Sequence, residues 1–111
     1  MVLALVRDLL FSTKITATAR ALSVPCQVVR DPHNLASAGQ SPMLLVDLNL
    51  PGSIDAASCY QRTYPDSQVI GFVSHTDAAT IRRAREAGID RVLARSAFVD
   101  QLETLMRPLE S

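Results

Sequence analysis

Short apolar runs alternate with stretches of helical spacing five times along this chain. Residues 2–6 (VLALV) and 43–46 (MLLV) are unbroken apolar, the pattern of parallel strands covered by helices on both faces. Residues 69–73 (VIGFV) read the same way, and residues 91–94 (RVLA) form a shorter fifth run. Residues 26–29 (CQVV) are mixed in polarity, which predicts an edge strand. Between the runs the spacing changes to threes and fours. Phe11, Ile15, Ala19 and Leu22 predict a first helix. The segment PHNLASAG, opened by Asp31 and Pro32 and closed by Gly39, predicts a short second one. Ser53 is placed to cap a third helix carrying Ile54, Ala57 and Tyr60, ended by Pro65. Thr76 is placed to cap a fourth, with Asp77 in its first turn, Ala78, Ile81 and Ala84 on one stripe, and Gly88 at its end. Ser96 is placed to cap a last helix with Val99, Leu102, Met106 and Leu109 on one face.

Strand and helix in strict alternation predict a parallel sheet with crossover helices. Five units are too few for an eight-fold barrel, so the expected class is α/β, an open doubly wound sheet in a three-layer sandwich. The 111 residues, 48% of them hydrophobic, fit one domain spanning 1–111 with a buried core. Eleven basic side chains against eleven acidic ones argue against a chain that binds nucleic acid by itself, since such affinity rests on an excess of cations. Arg7 and Asp8 break the first apolar run well before it reaches membrane-spanning length. The expectation is a cytoplasmic chain with no leader and no membrane partner. Cys26 and Cys59 lack CxxC spacing and read as inert packing residues.

In open α/β sheets ligands gather at the carboxyl ends of the strands. The polar residues there are Arg7 and Asp8, then Asp31, then Asp47 and Asn49, then Ser74 and His75, and lastly Arg95 and Ser96. LLVDLNLPG (44–52), VIGFVS (69–74) and AREAGIDRVLARSAF (84–98) resemble the receiver domain of two-component response regulators, over nearly the whole chain. The resemblance implies the flavodoxin-like (βα)5 fold with strand order 2-1-3-4-5. It implies Asp47 at the phosphoacceptor position and magnesium held by Asp8, Asp47 and the backbone of Asn49. It further implies a hydroxyl switch at Ser74 and a phosphate contact at Arg95, where the family pattern has lysine.

Two departures concern charge. The family pattern has two acidic residues after the first strand, and here they are Arg7 and Asp8. At ~5 Å and an effective dielectric near 20, a guanidinium opposes each unit of cation charge by on the order of 3 kcal/mol, so magnesium affinity is expected to fall. Arg7 is therefore the candidate to block the site by pairing with Asp47; the alternative is that it points away into solvent. Arg95 offers a planar fork in place of a point charge, either to bind phosphate or simply to ion-pair with Asp47.

The expectation is a pseudo-receiver: not an enzyme, but a signalling module acting by protein–protein contact, with a histidine kinase or a downstream signalling protein as partner. Arg82, Arg83, Arg85 and Arg91 mark an interaction face, and helix four, strand five and helix five offer a homodimer surface by the same resemblance. The rival reading keeps Asp47 as a working phosphoacceptor with magnesium. A remote one is a small-molecule or cobalamin-binding domain, prompted by the DxHxx pattern of Asp31 and His33, in which Ala36 stands where that signature has glycine.

Overall fold

The unbroken apolar strands bury both of their faces. In the computed structural model, which describes residues 1–74, 77–89 and 91–109, β1 (Val2–Leu5) sends Val2 and Ala4 into one hydrophobic layer and Leu3 and Leu5 into the other. Strands β2 (Cys26–Val29), β3 (Met43–Asp47), β4 (Gln68–Val73) and β5 (Arg91–Ala94) complete a parallel sheet in the order 2-1-3-4-5. β2 lies at an edge, as its mixed polarity predicts, and β3 lies at the centre.

Helices α1 (Leu9–Ala21) and α4 (Arg95–Met106) cover one face, where Ile15, Ala19, Phe98, Leu102 and Met106 meet Val2, Ile70 and Phe72. Helices α2 (Ser53–Thr63) and α3 (Ala78–Glu86) cover the other, where Ile54, Ala57, Tyr60 and Ala84 meet Leu3, Leu44 and Val46. The three layers follow from strands that have no polar face to leave in water.

Several local expectations are corrected. The second crossover holds no α-helix; Pro32–Asn34 and Ala36–Ala38 are two 3₁₀ turns. Asp31 caps only the first, through the His33 backbone N–H, and Gly39 leaves at φ +79°. Too few residues lie between Asp31 and Gly39 to repay nucleation of a longer helix, and the buried Leu35 anchors the turns instead. α1 begins at Leu9, two residues before the apolar spacing signals it, because Asp8 accepts from the Leu10 and Phe11 N–H groups. α2 is preceded by Gly52 in the left-handed region at φ +82°, so Ser53 is its first residue and not its cap. α4 starts straight after Ala94 without a side-chain cap, leaving Ser96 inside its first turn. The described cap of α3 is Asp77, whose carboxylate accepts from the Thr80 N–H. His75, Thr76 and Asp90 lie outside the described residues.

Of the cysteines, Cys26 packs half-buried against the core, with burial raising its thiol pKa, as expected, while Cys59 on α2 differs from expectation in being exposed. Among the described residues no helix is long and apolar enough to cross a membrane.

Candidate functional site

β3 and β4 run in register until Asp47 stands beside Phe72, which lifts the Asp47 carboxylate to the carboxyl end of the central strand. Three rings build the floor beside it. Phe98 stacks on Phe72 at 4.3 Å between centroids, and Phe72 stacks on Phe11 at 5.3 Å. The Arg95 guanidinium carbon lies 4.9 Å from the centre of the Phe11 ring, within cation–π range. From that platform Arg95 Nη2 reaches Asp47 Oδ2 at 3.5 Å, the arginine side chain 37% exposed and the aspartate 8%. The separation is an ion pair longer than a good charge-assisted hydrogen bond. Arg95 Nε is buried without a partner, an uncompensated donor beside a buried carboxylate.

The other oxygen of Asp47, Oδ1, accepts the Asn49 backbone N–H at 3.0 Å. Burial pushes the Asp47 carboxyl above the ordinary carboxylate range; the Asn49 N–H and Arg95 pull it down without cancelling that rise, and the negative charge of Asp8 adds to it. A single cation at 3.5 Å therefore does not fully compensate the burial of this carboxylate.

Of the candidates after β1, Asp8 also caps a helix and Arg7 is turned away. Asp8 Oδ1 is spent on the first turn of α1, accepting from Leu10 at 2.8 Å and Phe11 at 3.2 Å. Arg7 is turned toward β2, its Nε donating to the Arg30 carbonyl at 3.3 Å, while Arg30 Nη2 donates to the Arg7 carbonyl at 3.1 Å. Pairing of Arg7 with Asp47 is thus corrected: the cation on Asp47 is Arg95. Arg7 instead lines a cavity of about 520 Å³ with Asp31, His33, Pro51, Gly52 and Asp55.

On the far side of Asp47, Asn49 uses both ends of its carboxamide. Oδ1 accepts the Ser74 backbone N–H at 2.9 Å, and Nδ2 donates to Asp77 Oδ2 at 2.8 Å. Asp77 also accepts from the Thr80 hydroxyl at 2.6 Å and the Thr80 N–H at 3.0 Å. The Thr80 hydroxyl and N–H are the main reason its carboxyl is held below the usual range, with smaller help from Asn49 and the charge of Arg83. Asn49, Asp77, Thr80 and Arg83 line a polar cavity of about 400 Å³.

Sequence reasoning did not assign roles here to Phe11, Thr80 or the side chain of Asn49. An Asp with Thr three residues later is a capping spacing and signals the Asp77–Thr80 pair; nothing local signals Phe11, which meets Arg95 only where α1 and α4 pack on the same face of the sheet. Arg82, Arg83, Arg85 and Arg91 are all exposed, the first three on α3 and the last opening β5. Arg83 faces the polar cavity as well as solvent.

Five parallel strands in order 2-1-3-4-5, layered between helices and carrying a carboxylate at the end of the central strand, define the class: an open α/β sandwich with its polar cluster at the strand ends. The comparisons narrow it. No family model matches the chain and no curated protein matches it, so the similarity lies in shape. A response regulator from Thermotoga maritima superposes with a TM-score of 0.75 at 12% identity, covering 97% of this chain and 94% of that one. The beryllofluoride-activated DrrB receiver domain gives 0.81 at 14%, again over 97% and 94%. A response regulator from Burkholderia pseudomallei, solved with a phosphorylated aspartic acid, a calcium ion and citrate, gives 0.74 at 18%, over 99% of this chain and 66% of that one. The chain has the fold of response-regulator receiver domains.

Proposed function

We propose that this chain is a single receiver-like signalling domain that works by protein–protein contact, with Asp47 at the phosphoacceptor position and Arg95 occupying it as a fixed counter-charge. The observation that carries the reading is the Arg95–Asp47 ion pair at 3.5 Å on a buried carboxylate. Magnesium takes octahedral oxygen ligands, typically one or two carboxylates with waters and phosphate oxygens. The residues here do not fit it. Asp8 is engaged by two backbone N–H groups, Arg7 stands where a second carboxylate would help, Asp47 already has a cation, and the described residues hold no group of three His, Cys, Asp or Glu placed for a metal.

Phosphoryl transfer to a carboxylate needs charge neutralised on the transferring oxygens and an unencumbered nucleophile. A guanidinium lying on Oδ2 and an N–H on Oδ1 oppose the second requirement. On this reading the chain is not an enzyme. Its partner is a histidine kinase or a downstream signalling protein, which reads the exposed arginines of α3 and β5; α3, β5 and α4 are the surface for a homodimer.

A second reading, a working phosphoacceptor, is favoured by the Burkholderia pseudomallei neighbour that carries a phosphorylated aspartic acid and by the hydroxyl at Ser74. Incubation with a small phosphoryl donor and magnesium, followed by intact mass measurement, separates the two. The expected result is an unchanged mass. A gain of one phosphoryl group that Asp47→Asn abolishes overturns the first reading.

A further inference from the structure

We propose that the Asn49 side chain relays the state of Asp47 to α3. This deepens the reading above and rests on Asp47 as the functional centre.

Asn49 sits at the meeting point of three bonded groups. Its backbone N–H is held by Asp47 Oδ1 at 3.0 Å, its carboxamide oxygen holds the Ser74 N–H at 2.9 Å, and its carboxamide nitrogen holds Asp77 Oδ2 at 2.8 Å. Ser74 ends β4 and Asp77 caps α3, and the Asp77 N–H donates in turn to the Ser74 carbonyl at 3.0 Å. Asp77 fixes the first turn of α3 through both the N–H and the hydroxyl of Thr80. A change at Asp47 that releases or re-aims the Asn49 N–H therefore moves a carboxamide whose oxygen and nitrogen are each already tied to a separate element. The movement is delivered to the strand end and the helix cap together.

The geometry makes the backbone next to Asp47 stiff enough for such a relay. Leu48 follows Asp47, donates its N–H to the Phe72 carbonyl at 2.9 Å and packs over Gly71, where an added Cβ would meet its Cδ1 at 2.5 Å. Asn49 is thus set on a buried base while its side chain remains exposed.

The test is amide exchange and chemical shift in the full chain by NMR. In Asn49→Ala the Ser74 amide is expected to exchange faster by on the order of tenfold, the loss of one hydrogen bond, while the Leu48 amide stays protected and reports that the sheet is intact. Asn49→Asp retains the acceptor for Ser74 and sets a carboxylate against Asp77, so Thr80 resonances move while Ser74 protection persists. The relay itself is read from a double-mutant comparison. Asp47→Asn is expected to shift the Ser74 and Thr80 amides, and Asn49→Ala is expected to remove that response. Equal shifts with and without the Asn49 side chain overturn the proposal. Because substitution sets the state of Asp47, the result does not depend on whether the chain accepts phosphate, and the mass measurement above fails or succeeds separately.

Discussion

Arg95 reaches Asp47 over the face of Phe11, with Nη2 3.5 Å from Oδ2 and the guanidinium carbon 4.9 Å from the ring centre. The aromatic stack Phe98–Phe72–Phe11 continues the core upward until its last ring carries a cation. The hydrophobic layer and the polar cluster are therefore one construction, in which packing sets where the charge stands.

Phe11→Leu is expected to loosen this platform. Removing part of a half-buried ring costs about 1–2 kcal/mol, less than at a fully buried site, and frees Arg95 to swing toward solvent. The Asp47 carboxyl, already raised by burial, then rises further. Carbon-detected titration of Asp47 in wild type and variant checks the direction; an unchanged midpoint refutes the role given to the ring.

The second prediction concerns magnesium. Arg7→Asp restores a carboxylate after β1 but leaves Arg95 on Asp47. The single variant removes one positive charge and adds a negative one, so it should gain affinity by on the order of tenfold or above; adding Arg95→Lys leaves the charge unchanged but replaces the planar fork on Asp47 by a flexible point charge, and should gain more. Calorimetric titration with magnesium measures both. Equal affinities for single and double variants would show that Arg95 does not obstruct the site.

The pH dependence of stability has a definite sign at Asp47. Its folded pKa lies above the ordinary 3.8, so between these values the folded state binds more protons than the unfolded one, and stability falls as pH rises. The contribution is fully present below about pH 3.8 and is lost upward through the folded pKa. Asp47→Asn does not titrate, so its Tm should gain on wild type as pH is raised from 3.8 toward neutrality, while the other carboxylates affect both proteins alike. A Tm difference that is constant over this range contradicts the assignment.

Gly71→Ala tests the packing beneath the site. The added carbon would sit 2.5 Å from Leu48 Cδ1 and 2.8 Å from its Cγ, and Leu48 is buried, so it has little room to retreat. Overpacking of this kind costs typically 1–3 kcal/mol. Denaturant unfolding gives the cost, and Leu48→Ala in the Gly71→Ala background is expected to recover part of it.

Legibility in the sequence was uneven. The strand cores read directly, because residues such as Leu44, Leu45 and Val46 have no polar alternative and bury both faces. Asp47, breaking such a run, read directly too. Helix starts read poorly where the cap was not a hydroxyl before an apolar stripe: Asp8 was not read as a cap and is one, while Ser53 and Ser96 looked like caps and lie inside their helices. The second crossover misled because Pro and Asp at its start are shared by α-helices and single 3₁₀ turns, and length decides between them.

Which arginine meets Asp47 was not written in any local pattern. Arg7 and Arg95 carry the same charge, and Arg7 leaves β1, which pairs with β3, whereas Arg95 leaves β5, one strand further from β3, so strand order alone points to Arg7. The sequence by itself determined the sheet, its buried strands and the aspartate at the end of the central one, because burial of an apolar run is a local matter of side-chain chemistry. Only the tertiary structure decided that Arg7 is drawn aside to the Arg30 carbonyl and that Phe11 lifts Arg95 onto the carboxylate, because those partners are distant in the chain and adjacent only once the layers have packed.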